Sequence, residues 1–304
     1  PIEDWNNIYS IYYNSFFKNR IYPRFFQSYL YLKSERRYFF YGFINDCFII
    51  VKKYKQFKNN IFYLVLPPIH INGDLNKEAS LIESLLKVGI KTKLSEEDIK
   101  LYSFSKKEVK KEKDNIEHIY NSSDYKDLTL PIFNKFIYNY KKLLFNKNLN
   151  INIYNKLNND NIKNIDILLK NWNAYKKMQS DKCHLYFNDN EINTYFEIIS
   201  SSDNIITSSI NEYVCNNKII ITTNYSDYNY QLNDLQSNKA LHCLIMNHWE
   251  GKSPNNLINS GSAGWDKGLY IHKKQLLPCK ELQLFDTIIK GKLTDLQYES
   301  TCKG

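Results

Sequence analysis

Residues 259–278 read NSGSAGWDKGLYIHKKQLLP, a stretch that gathers side chains able to do chemistry. Three of the chain's nine glycines, Gly261, Gly264 and Gly268, fall inside it. Acyl transfer requires a proton acceptor and a cationic or N–H-rich group facing the developing oxyanion. Asp266 and His272 are the nearest candidate bases, and Lys273 is the candidate fixed positive charge. Gly264 and Gly268 allow a tight turn and a close approach of backbone to substrate. Trp265 could wall a pocket or stack on an adenine or a sugar. Asn259 and Ser262 are candidate hydrogen-bonding groups at a strand end.

Other chemistries lack their residues. His242 and His248 lie six apart on one predicted helix, a spacing that does not share a face. Cys183 and His184 are adjacent, which is not the arrangement of a Cys–His dyad. The six cysteines are scattered without CxxC or zinc-finger spacing, so reduced thiols and no metal are expected. Ser-His-Asp spacing, Walker A, HExxH and Rossmann glycines are all absent.

The net charge of +9 is unevenly placed. Residues 1–112 hold 19 Lys+Arg against 12 Asp+Glu, which gives +7, whereas residues 113–304 hold 22 against 20, which gives +2. A basic first part suits a polyanion such as tRNA or DNA, or an anionic membrane surface, or simple solvation of a small domain. The abundance of Tyr, Asn, Ile and Lys follows from AT-rich coding, so aromatic density by itself is no sign of base stacking. With 43% hydrophobic and 24% charged residues the composition is globular. No apolar run reaches the roughly 18 residues of a spanning helix and no signal peptide is seen, so a cytoplasmic protein is expected.

A length of 304 residues favours two domains. In the first part, a helix over 4–19, strands over 36–44, 47–54 and 60–68, and a helix after Gly73-Asp74 that stops at Gly89 are expected. Asn45-Asp46 is hairpin chemistry. The charged stretch 105–115 reads as a linker. In the second part, helices are expected over 131–147, 161–178 and 189–202, then strands over 204–215, 218–226 and 227–234. A helix over 237–250, a short strand into Gly261 and a last strand over 279–289 follow. The predicted fold is α+β, with domains 1–112 and 113–304, each a mostly antiparallel central sheet flanked by helices. Helices, a β-meander, a helix and a strand follow in the order of an acyl-CoA N-acyltransferase (GNAT) domain, used twice.

Three stretches carry a resemblance to a known family. DNIEHIYNSSDYKDL (114–128), the run of elements over 189–250, and the spaced set Asn259, Gly268-Leu269, Lys273 and Pro278 resemble tandem GNAT-fold proteins. These include the C-terminal (DUF2156-like) domain of phosphatidylglycerol lysyltransferases, with the Fem aminoacyl transferases as cousins. The resemblance is good over 114–286 and weaker over 1–112. It implies tRNA-dependent aminoacyl transfer, or less directly acyl-CoA-dependent transfer, to an amine or hydroxyl acceptor. It further implies a site in the second domain, with Lys273 functional and the basic first domain holding tRNA or another polyanion. No cofactor beyond the aminoacyl-tRNA or acyl-CoA donor is implied. The chain departs from the family where Ser260-Gly261-Ser262-Ala263 replaces an acidic pair, and where Phe136-Ile137-Tyr138 replaces a Lys-Arg-Asn run. The acetyl-CoA loop Gln/Arg-x-x-Gly-x-Gly/Ala is also missing, as it is in the lysyltransferase and Fem relatives. A nucleic-acid-modifying or -binding protein of this fold, or a degenerate non-catalytic interaction protein, are the alternatives.

Overall fold

The structure, a computed structural model, describes residues 12–28, 32, 39–56, 59–125, 134–176, 194–200, 204–214, 219–226, 237–264 and 266–288. The chain divides into two units. The smaller comprises Asn14–Arg20, Tyr38–Lys113 and Gln283–Gly304, and the larger Pro1–Tyr13, Ile21–Arg37 and Asp114–Leu282.

In the smaller unit, β1 (Phe39–Ile44) and β2 (Cys47–Gln56) form a hairpin whose turn residues Asn45 and Asp46 have φ of 49° and 61°. Short polar side chains tolerate that left-handed geometry, so no glycine is needed. β3 (Asn59–Leu64) continues the antiparallel meander, and β4 (Ile69–His70) pairs with the start of β2. Helix α1 (Leu75–Lys87) then crosses over to β5 (Lys91–Ser95), which lies parallel to β3. Asp74 caps α1 by accepting from the amides of Asn76 and Lys77 at 3.0 and 3.2 Å. Gly89, at φ +84°, ends it. Leu81 and Leu85 of α1 pack on Cys47, Ile49 and Leu64. A second, short helix α2 (Glu96–Leu101) opens with a capping box between Ser95 and Asp98.

One buried cation ties this unit together. Arg20 donates from Nε to Asp98 Oδ1 at 2.6 Å and from a terminal nitrogen to Glu78 Oε2 at 3.2 Å. It also meets the Tyr102 hydroxyl, which in turn donates to Glu78 Oε2 at 2.6 Å. The guanidinium lies over the Phe16 ring at 4.4 Å. Segment 14–20, α1 and α2 therefore share one charged centre, and the two carboxylates hold the guanidinium charged despite its burial.

In the larger unit the strand order is β6-β11-β10-β9-β8-β7. β6 (Val109–Asn121) enters it from Asp114; β7 (Leu149–Tyr154), β8 (Thr194–Ser200), β9 (Ile205–Val214) and β10 (Ile219–Ser226) form an antiparallel run. Helix α5 (Ser237–Lys252) crosses over to β11 (Leu257–Ser262), which lies parallel to β10 and antiparallel to β6. Two earlier helices, α3 (Asn134–Leu144) and α4 (Asn159–Lys176), cover opposite faces. Phe196 and Ile198 point to α5, together with Ile137 and Tyr140 of α3. Their neighbour Tyr195 points the other way, to Ile165 of α4 and to Leu157 just before that helix. Helix α6 (Lys267–Gln275) and β12 (Lys280–Thr287) complete the described chain.

Several expectations change. The helix predicted over 189–202 is wrong where the structure describes it, because residues 194–200 are β8. All of that strand except Ile199 is buried, so it shows no alternation, and its apolar run mimics a helical spacing. The 105–115 linker is a turn followed from Val109 by β6, since exposed Lys and Glu do not prevent backbone pairing. The sheets are mixed rather than mostly antiparallel, because α1 and α5 are crossover helices and each returns the chain parallel to the strand it left. α2 and β7 were not expected. Residues 4–11, the strand over 227–234, Cys183-His184 and Trp265 lie outside the described residues.

Replacing Arg20 by Met leaves Glu78 and Asp98 buried side by side without their cation. Urea unfolding is expected to show a loss of roughly 3–5 kcal/mol, with Arg20→Lys recovering only part of it. An unchanged midpoint in the Met variant would remove Arg20 from the centre of this unit.

Candidate active site

The singular feature of the larger unit is a pair of parallel strands that part. β10 and β11 are in register at Ile219↔Leu257, Ile220↔Ile258 and Ile221↔Asn259, and nowhere further. Among the described residues β10 continues to Ser226 on β9 alone, while β11 shifts register between Asn259 and Ser262 and meets β6 again at Ser262↔Glu117. A bulge in β11 thus begins where the two strands separate.

Lys273, near the end of α6, holds this bulge. Its ammonium donates to the carbonyls of Ser260, Gly261 and Ser262 at 2.6, 3.1 and 3.0 Å. Three consecutive carbonyls at the register shift thereby find a donor, and the ammonium's three protons are all engaged. Burial pushes Lys273 down to about 8, against the pull of Glu117.

Asn259 fixes the other side. Fully buried, it donates from Nδ2 to the Pro23 carbonyl and to Glu117 Oε2, both at 2.8 Å, and accepts from the Gly261 amide at 2.7 Å. Glu117 Oε2 also accepts from the Phe25 amide at 3.1 Å and faces Arg24 Nε at 3.8 Å. Ser28 donates to Glu212 Oε2 on β9. Residues 23–28, whose centre is a 3-10 turn (Phe25–Gln27), are therefore strapped to the sheet. Gly261 sits at φ +73°, and a Cβ there would lie 2.9 Å from the Phe25 ring. Position 261 must be glycine for two reasons at once.

Under α5 a buried polar chain runs from Trp249 Nε1 to Asn211 Oδ1 (3.2 Å), from Asn211 Nδ2 to Ser209 (3.0 Å), and from Ser209 to Thr222 (2.9 Å). Thr222 is the first β10 residue beyond the point of separation.

The sequence candidates divide in this geometry. Asn259, Ser262 and Lys273 meet at the bulge. Asp266 accepts from the Leu269 amide at 2.9 Å and caps α6. It lies at the opposite end of α6 from Lys273, about 10 Å along the axis. His272, half-buried beside Lys239 and Lys273, is pushed down to about 4, chiefly by burial, and is neutral at pH 7. Gly264 adopts φ +55°, and Gly268 lies in the first turn of α6. Glu117, Asn211 and Glu212 were not singled out in the sequence. Neither was His118, buried opposite the bulge and pushed down to about 4 by burial and Lys273. Of these, only the polar run TSSIN in a strand otherwise rich in isoleucine offered a signal. Among the described residues no group of three His, Cys, Asp or Glu could hold a metal.

No protein-family model and no curated protein matches the chain. Solved structures do. A conserved protein of unknown function from Bacteroides thetaiotaomicron VPI-5482 superposes with a TM-score of 0.70 at 14% identity, covering 95% of this chain and 98% of that one. The C-terminal domain (DUF2156) of a putative lysylphosphatidylglycerol synthetase from Agrobacterium fabrum gives 0.63 at 10% identity, covering 92% of each chain. FemX gives 0.57 at 10% identity, covering 84% of this chain and 90% of that one. This chain has their fold. The expected likeness to the DUF2156-type domain and to the Fem proteins is thus found, at the level of α+β architecture.

Gly261→Ala is expected to destabilise the protein by roughly 1–3 kcal/mol, from left-handed strain and overpacking together. Phe25→Ala in the same chain should relieve only the overpacking part. Equal costs of Gly261→Ala with and without Phe25 would refute the contact.

Acid should act on the buried histidines. His118 and His242 are held at about 4 and about 3, mainly by burial, below the ordinary 6.5. Below pH 6.5 the unfolded chain binds protons that the folded chain refuses, so stability falls as pH drops from 6.5 towards 4. The slope is about 1.4 kcal/mol per pH unit for each histidine. His242→Phe should flatten the slope by about one histidine's share in urea titrations at pH 4.5–6.5.

Proposed function

We propose that this protein is an aminoacyl- or acyl-transferase of tandem GNAT architecture, with its site at the parted strands β10 and β11. The observation that carries this reading is the separation itself. Beyond Ile221 and Asn259 two parallel strands joined by α5 diverge, and among the described residues β10 runs on to Ser226 with β9 alone. Main-chain groups that have left a ladder seek partners, and an extended acyl donor can supply them as an added strand would. The shared fold of FemX and the lysylphosphatidylglycerol synthetase domain supports the same class of reaction.

In this reading an acceptor amine or hydroxyl attacks the donor carbonyl. A new C–N or C–O bond forms, and the ester C–O bond of an aminoacyl-tRNA, or less readily the C–S bond of an acyl-CoA, breaks. The proton lost by the acceptor passes to the leaving oxygen or sulfur, with neutral His272 the candidate relay. Lys273 contributes positive potential and the shape of the bulge. Because its protons are engaged by Ser260, Gly261 and Ser262, it acts on the reacting carbonyl through that geometry. Asn259, Ser262, Gly264, Trp265 and Gly268 are the candidate substrate-binding positions, and Asp266 sets the direction of α6. A tRNA donor would find its polyanion partner among the lysines of residues 1–112.

A second reading is binding without turnover. It is favoured by the engagement of both Lys273 and Asp266 in structural hydrogen bonds and by Ser260-Gly261-Ser262-Ala263 at the family's acidic positions.

The test is a mass-spectrometric transfer assay with aminoacyl-tRNA and acyl-CoA donors and amine or hydroxyl acceptors. Transfer is expected from one donor class, and Lys273→Met, by misplacing the bulge, should lower the rate by roughly 100-fold. Saturable donor binding with no product would select the second reading. Neither transfer nor binding with either donor class would sink both.

A further inference from the structure

We propose that the outer face of α3 docks on an anionic membrane surface. The inner face of this helix, Ile137 and Tyr140, packs into the core of the larger unit. The solvent-facing flank, about 100° round the helix from that pair, carries Tyr138, 65% exposed, and Phe145, just past the last turn and 79% exposed, while Leu144, at the end of the inner row, is 48% exposed. Tyr138, Lys141 and Phe145 stand three and seven residues apart, which sets them on one ridge of the helix. A phenylalanine so exposed has a cost in water that its neighbours do not relieve, and clustered apolar exposure marks a contact surface.

Charge identifies the partner. Between Asp127 and Asp160 the chain carries five lysines, at 135, 141, 142, 147 and 156, and no carboxylate. Lys141 and Lys147 are exposed on either side of Phe145 in sequence. The next element, β7, is the last strand of its sheet in the described order, and Ile153 on it is 42% exposed. Aromatic and aliphatic groups raised between lysines suit a lipid headgroup layer. The apolar groups enter the acyl boundary while the ammonium groups stay with the phosphates. A nucleic acid would use the lysines but leave Leu144, Phe145 and Ile153 without an apolar environment. Among the described residues no helix is long and apolar enough to cross a membrane, so the contact is with the surface. The proposal does not rest on the transferase reading.

The experiment is co-sedimentation of the full chain with vesicles of phosphatidylcholine alone and of phosphatidylcholine mixed with phosphatidylserine. Binding is expected only to the mixed vesicles and should weaken as salt is raised. Replacing Lys141 and Lys147 together by Gln should weaken binding roughly 25-fold, about five-fold for each lysine. Phe145→Ser should weaken it roughly ten-fold or more. Both sets of residues are exposed, so circular dichroism and thermal unfolding should match the parent chain. Absence of binding to mixed vesicles, equal binding to neutral ones, or unaltered binding by Phe145→Ser would overturn the proposal. So would self-association that Phe145→Ser abolishes in the absence of lipid, which would make this face an interface between copies. Transfer to a water-soluble acceptor should be unchanged in Phe145→Ser, which separates failure of this proposal from failure of the transferase reading.

Discussion

The arrangement at the end of β11 depends on one interaction, the Lys273 ammonium against three consecutive carbonyls. A strand that leaves its neighbour loses ladder bonds, and each orphaned buried carbonyl costs free energy unless another donor arrives. Lysine can reach from a helix, brings three donors and tolerates burial when all three are used. The bulge can therefore exist inside the protein, and its existence lets β10 and β11 diverge. Asn259 complements it by accepting from the Gly261 amide and tying Glu117 to the strap of residues 23–28.

The two units share a local plan with different centres. Each has an antiparallel meander, a crossover helix and a parallel strand, β1–β3, α1 and β5 in one and β8–β10, α5 and β11 in the other. In the smaller unit the buried charge, Arg20 with Glu78 and Asp98, is closed by Tyr102 and by capping bonds. In the larger unit the polar groups gather at the strand separation, where Asn211, Ser209 and Thr222 continue the chain from Trp249. A fully closed network rigidifies a unit. One set along diverging strands borders the candidate site.

Much of the fold was legible because its signals are local. The Asn45-Asp46 turn, the Gly89 stop, the helix of residues 237–250 and the short strand into Gly261 follow from turn chemistry and periodicity. β8 was misread as a helix because burial on both faces erases the period-two signal. β6 was misread as a linker because its charged first residues are solvated while its backbone still pairs. At the candidate site, Asn259 and Lys273 could be picked out by the spacing that carries the family resemblance. Glu117, Arg24 and Glu212 could not, since each lies on a separate element and nothing in its own neighbourhood announces the meeting.

The sequence by itself determined the α+β class, the positions of most helices and turns, and that residues 259–273 are chemically unusual. It also left the basic excess and the carboxylate-free stretch before Asp160 in plain view. Tertiary structure alone decided what those residues do. Asp266 became a helix cap, and Gly261 became a point of contact with Phe25. Lys273 became the partner of three carbonyls rather than a free cation. Hydrogen-bond satisfaction is the reason: spacing shows which groups are available, whereas the folded chain determines which backbone groups lack a partner and so claim them.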